Sequence, residues 1–167
     1  MAYGIMPYLA PWESLQSLYG SKDMALYNTV LEKQQFRIAE LKTSFDEEPT
    51  GYLLDIINGA NQHKNGALYG YAFELICLTI GRLMNNSQWY PTPHMWDIET
   101  ALTDNLPFSV PAPDDFPAYW VISPENMDKV CHKIETAATI SDPEREQFLH
   151  WLKRGKETNR ALVLFYY

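Results

Sequence analysis

Two groups of side chains in this sequence have the types and spacing to do chemistry. The first centres on Glu74, the one acid inside the apolar run Gly66 to Met84, GALYGYAFELICLTIGRLM. A carboxylate covered at that position would have a raised pKa and become a candidate general acid or base. His63, just before the run, is its nearest proton-transfer partner in sequence. The competing reading leaves Glu74 on the one wet stripe of a core helix, or bonded to a tyrosine hydroxyl, where it does no chemistry. The second group is His94 and Asp97, spaced i, i+3 at the start of a short helix, with Asp114 and Asp115 on a later loop. A divalent cation accepts such ligands. An aspartate at a helix start is favoured by the helix dipole in any case, and spacing fixes no third ligand, so no metal or cofactor is assigned. His132 and His150 fall on the polar sides of amphipathic helices and read as surface residues.

The phosphate-loop, dinucleotide, zinc-protease, nucleophile-elbow and C-x-x-C patterns are all missing. General acid–base sites need no such local pattern. The reading is therefore a non-catalytic protein, with a Glu74/His63 acid–base site as the alternative.

The strongest anomaly is the distribution of charge. Between Arg82 and Lys129 there is no Lys or Arg, while Asp97, Glu99, Asp104, Asp114, Asp115, Glu125 and Asp128 supply seven acids toward a net charge of −8. The same interval holds seven of the eleven prolines and the aromatics Trp89, Tyr90, Trp96, Phe108, Phe116, Tyr119 and Trp120. Prolines pre-order a segment, aromatics give contact area at low entropic cost, and carboxylates select a cationic partner. A binding surface made of Trp89, Tyr90, His94, Trp96, Asp97, Asp114, Asp115 and Tyr119 would suit a basic protein. The alternative is that the aromatics plug the core and the acids are solvated or cap helices.

A pI near 4.9 argues against nucleic acid as a partner. Hydrophobic content of 46% excludes disorder as the main state, and 167 residues fit one domain, residues 1–167. Glu74 and Arg82 interrupt the apolar run and argue against a membrane span. The start, MAYGIMPYLAPW, has no basic region before a long apolar stretch, so a cytoplasmic location is expected. Cys77 and Cys131 fall at apolar helical positions and read as free thiols.

Gly66 to Met84 is apolar on nearly every side and predicts a buried central helix. Its weakest stripe, Gly70, Glu74, Cys77 and Gly81, is small enough for another backbone to approach. Tyr3 to Leu9 predicts a strand that Pro7 sends to a sheet edge. A helix from Pro11 to Gly20 follows, then a longer one that Ser21 can cap and that carries Met24, Tyr27, Leu31, Ile38 and Leu41 on its buried side. Leu53, Leu54 and Ile57 mark a short helix stopped by Gly59. A modest helix is expected from Met95 to Leu102 and a strand from Ala118 to Ile122. Ser123-Pro124 and the Ser141/Glu144 capping box open two further helices. Ala161 to Tyr166 predicts a strand covered on both faces. The expected fold is α+β: a single helix-rich domain with about three strands, from the N-terminal, middle and C-terminal parts, around the central helix, with the C-terminal strand in the middle of the sheet.

MAYGIMPY, HKNGALYGYAFELIC, DDFPAYWVISPE and ALVLFYY resemble a family of small bacterial proteins of unknown function. The last third, with its helix pair and apolar final strand, also resembles the YfbM-like proteins. The resemblance implies a compact α+β domain and brings no catalytic residues with it. Acidity, size and missing catalytic motifs suggest an immunity protein that blocks a basic toxin.

Overall fold

The computed structural model describes residues 4–86, 106, 108–113 and 115–167. Four antiparallel strands form one sheet: β1 (Ile5–Pro11), β2 (Arg82–Leu83), β3 (Ala118–Ile122) and β4 (Arg160–Tyr166), in the order β2-β1-β4-β3. Helices α1 (Trp12–Gln16), α2 (Met24–Lys33), α3 (Gln35–Phe45), α4 (Pro49–Asn58) and α5 (Gly66–Ile80) follow β1, while α6 (Met127–Thr136) and α7 (Asp142–Glu157) lie between β3 and β4. The helix-rich α+β class is as expected.

Alternation along the strands divides the core in two. Tyr8, Ala10, Val121, Ala161, Val163 and Phe165 point to the face covered by α4 and α5. Ile5, Leu9, Trp120, Ile122, Leu162 and Leu164 point to the face covered by α6 and α7, against Met127, Phe148 and Trp151. The five residues Ala161 to Phe165 are buried without interruption, as a strand sandwiched between two helical layers must be.

Among the described residues the sheet has four strands, not three, and β1 is not an edge. The difference lies at the end of the central run. Helix α5 stops at Ile80, Gly81 turns extended with its N–H on the Cys77 carbonyl at 2.8 Å, and Arg82 and Leu83 pair with Leu9 and Tyr8. Pro7 is accommodated because its carbonyl accepts from the Met84 N–H at 2.8 Å, on the side away from β4. A strand residue directs its N–H and C=O to the same side, so the missing donor costs the main β1–β4 ladder nothing. Proline thus governs which side of β1 is weakly paired, and a two-residue strand covers that side.

The long second helix is two helices. It breaks at Gln34, whose side chain donates to the Thr79 hydroxyl on α5 at 3.3 Å. Its cap is Asp23, accepting from the Leu26 N–H at 2.9 Å, with Ser21 one step further out. Gly59, at φ 69°, ends α4 as predicted, and a Cβ there would lie 2.9 Å from the Gly20 Cα. Glu144 accepts from the Ser141 N–H at 3.0 Å to complete the predicted capping box. Both cysteines are free, Cys77 buried and Cys131 half-buried. The helix expected over 95–102 lies outside the described residues.

Candidate functional site

Helices α4 and α5 each carry one acid on an otherwise apolar buried face, and each acid has gathered its own partners. Asp55 lies on the last turn of α4, with 4% of its surface exposed. Its Oδ2 accepts from the backbone N–H of Gln62 at 2.9 Å and of His63 at 3.2 Å, from the Tyr69 hydroxyl at 2.5 Å, and meets His63 Nδ1 at 2.8 Å. Burial alone would raise this carboxyl. The Tyr69, His63 and backbone donors together outweigh burial and hold it below the usual aspartate range. An ionised carboxylate accepts only, so His63 donates to it from Nδ1.

The His63 ring is held on three sides. It lies on Tyr52, with centroids 4.5 Å apart, and Tyr52 meets Tyr69 edge-on at 4.8 Å. Below it is Gly51, where an added Cβ would fall 2.8 Å from Cε1 and Nε2. Tyr52 donates in turn to Glu47 at 2.5 Å, and burial with that carboxylate pushes its hydroxyl up to about 12. The imidazole keeps 35% of its side-chain surface open to solvent. Chemically, this is an oriented imidazole beside a fixed carboxylate.

Glu74 has a different setting. It is 6% exposed, on the face of α5 turned to the sheet, and accepts from the Tyr8 hydroxyl at 2.9 Å and from the Tyr167 hydroxyl. Burial raises its pKa, and the Tyr8 hydrogen bond and the charge of Arg37 only partly offset that. Burial and the Glu74 charge likewise push the Tyr8 hydroxyl well up. His63 is bonded to Asp55, and Glu74 to two tyrosines, so the two residues paired by sequence proximity sit in separate networks. The actual partner of His63 is Asp55, eight residues before it, which spacing alone does not single out. Its signal was present in YLLDIING, a lone acid among apolar residues, the same signal that singled out Glu74.

Of the residues expected to form a partner-binding surface, Trp89, Tyr90, His94, Trp96, Asp97 and Asp114 lie outside the described residues. Asp115 is exposed and accepts from the Phe116 N–H at 2.8 Å. Tyr119 is half-buried on β3, 5.1 Å from the Phe73 ring and 5.9 Å from that of Phe165, and burial raises its hydroxyl to about 12. The described part of the stretch before β3 is laid on α5. Phe108 meets Phe73 at 5.0 Å, and Leu106 and Val110 pack on the same core. The glycines of α5 permit this approach: a Cβ on Gly66 would strike the Ala112 carbonyl, and one on Gly70 would lie 2.9 Å from the Pro117 carbonyl. Asp115, Glu125 and Asp128 face outward, Asp128 meeting Lys156 at 2.5 Å. Among the described residues, no group of three His, Cys, Asp or Glu side chains is placed to hold a metal ion, and no helix is long and apolar enough to cross a membrane.

A sheet between two helical layers, with internal carboxylate networks and a strap anchored by apolar side chains along its central helix, is the architecture that defines the molecule. The chain belongs to the family described as Domain of unknown function (DUF7691), whose model matches residues 1–167. No curated protein and no solved structure matches it.

Proposed function

We propose that this chain is a non-catalytic binding protein of the bacterial cytoplasm that docks a basic protein through the acidic interval after α5, with toxin immunity as its concrete form. The observation that carries the reading is the division of that interval. Phe108, Tyr119 and Trp120 pack inward, while Asp115, Glu125 and Asp128 face solvent, in a stretch with no Lys or Arg from 83 to 128. Asp115 sits on a strap fixed by its apolar side chains, so it needs little ordering on binding. Carboxylates displayed this way speed encounter with a cationic partner and exclude acidic ones. The helix pair and apolar final strand also favour kinship with the YfbM-like proteins.

The test is co-purification from the host, followed by affinity measurement on the recovered partner with Trp96→Ala and Asp114→Ala. The expected partner is basic, and both substitutions weaken its binding. An unchanged affinity removes this surface.

A second reading, acid–base catalysis, is favoured by the Asp55-held, partly open imidazole of His63. Under it, His63→Ala abolishes turnover while the fold is kept. Under the first reading, the same variant leaves partner binding intact.

A further inference from the structure

The geometry points to a phosphate-binding site between α7 and the β2–β1 edge of the sheet, built on arginine and taking a phosphate monoester. A cavity of about 300 Å³ there is lined by Leu9, Arg82, Met84, His150, Arg154, Thr158 and Arg160. Three of the chain's five arginines meet at this one place, and among the described residues no carboxylate lines it, in a protein of net charge −8.

Two periodicities build the cluster. His150, Arg154 and Thr158 are spaced four apart and form one stripe along the end of α7. Arg82 is the cross-strand partner of Leu9, which faces α7, and cross-strand partners share a face. Arg160 has the parity of Leu162 and Leu164 on β4, which face α7 as well. Helix stripe and strand row therefore oppose one another across the cavity.

The C-terminal end of α7 also attracts cations, because its last carbonyls are a partial negative charge. That accounts for Arg154, which in addition meets Glu157 at 3.1 Å. It does not account for Arg82 and Arg160, which come from strands. Arg82 makes no ion pair among the described residues. Among the described residues, Arg160 reaches only the Leu9 carbonyl, with Nη1 at 3.5 Å. Guanidinium forks with unused donors, close to one another, match the oxygens of a phosphoryl group, and such an anion relieves their mutual repulsion.

An adjoining groove of about 540 Å³ shares Arg82, Met84 and His150 and continues past Gln147 and Trp151. Its walls are tied together. Trp151 Nε1 donates to the Asn85 carbonyl at 3.0 Å, and Gln147 Nε2 to Asn86 Oδ1 at 2.7 Å. Leu9, Met84 and Trp151 offer apolar surface to the organic part of an ester. Glu146, one turn before His150, ends the cationic patch and keeps the phosphoryl group at the arginine end.

The experiment follows backbone amide shifts of the full chain by NMR while inorganic phosphate, glycerol 2-phosphate or neutral glycerol is added at low ionic strength. Saturable shifts at 82–84 and 154–160 with a phosphate probe, and none with glycerol, are expected. Arg82→Glu and Arg154→Gln, both at exposed positions, should each weaken binding by about tenfold or more, the worth of a lost charge-assisted hydrogen bond. Tighter binding of glycerol 2-phosphate supports the ester as ligand. Equal binding of inorganic phosphate keeps the site and overturns the ester. No saturation at millimolar probe, or saturation that Arg82→Glu leaves unchanged, overturns the site itself.

Discussion

Asp55 and Glu74 are both nearly sealed from solvent, at 4% and 6% exposure, and both interrupt an apolar helix face, yet their acidities move in opposite directions. Burial pushes each upward. Asp55 also has the connector between α4 and α5 wrapped around it, with two backbone N–H groups, a tyrosine hydroxyl and an imidazole aimed at one oxygen. Among the described residues, Glu74 has only tyrosine hydroxyls, Tyr8 on β1 and Tyr167 just past β4. What decides the charge state of a buried acid is how many donors the backbone can deliver to it, and a loop delivers more than a strand whose N–H groups are committed to a ladder.

The largest effect that would sharpen this contrast is on stability. Asp55→Ala leaves two backbone donors, an imidazole and a tyrosine without their acceptor, and should cost about 3–5 kcal/mol in urea denaturation. A cost under about 1 kcal/mol would mean the connector does not depend on it. Glu74→Ala should cost less, about 2–3 kcal/mol, for two stranded hydroxyls and a small cavity. Glu74→Gln keeps the shape and an acceptor, and should stay within about 1 kcal/mol of the parent. Equal losses for the Ala and Gln variants would show that the charge, not the hydrogen bonding, matters at Glu74.

The pH dependence should separate the two acids by sign. Asp55, lowered on folding, stabilises the fold above the usual aspartate pKa of about 3.9, and that contribution is lost as pH falls through its lower folded value. Glu74, raised on folding, contributes fully below the usual glutamate pKa of about 4.3, and that contribution is lost as pH rises through its higher folded value. Relative to Asp55→Asn the parent should gain stability with rising pH, and relative to Glu74→Gln it should lose it. Slopes of the same sign would break the comparison. The smallest effects are on the titrations themselves, followed by carboxyl NMR. Tyr8→Phe should move Glu74 further up, and His63→Ala should move Asp55 up, because each removes a donor that favours the charged form. A titration left in place by either substitution would show that its hydrogen bond does not tune the acid.

Much of this frame was legible in local chemistry. The buried β4, the glycine and capping-box helix boundaries and the central helix follow from periodicity and from residues with narrow conformational roles. The stripe of Gly70 and Gly81 did foretell close backbone approach, by Pro117 and Leu9. Glu74 stands out as a lone acid, but its partners Tyr8 and Tyr167 come from opposite ends of the chain and no local pattern links them. The fourth strand was hidden because two residues carry no periodicity, so Arg82 and Leu83 looked like the last turn of α5. The arginine cavity was hidden for the same reason: its charges are dispersed over β2, α7 and β4 and converge only when the sheet forms.

The most direct test of the proposed role is affinity for the recovered basic partner, measured by calorimetry at low and high salt for the parent and for an Asp114→Ala/Asp115→Ala double variant. A loss of about tenfold or more in the double variant, and a steep loss with salt in the parent, is the predicted result. An affinity indifferent to both changes would contradict it.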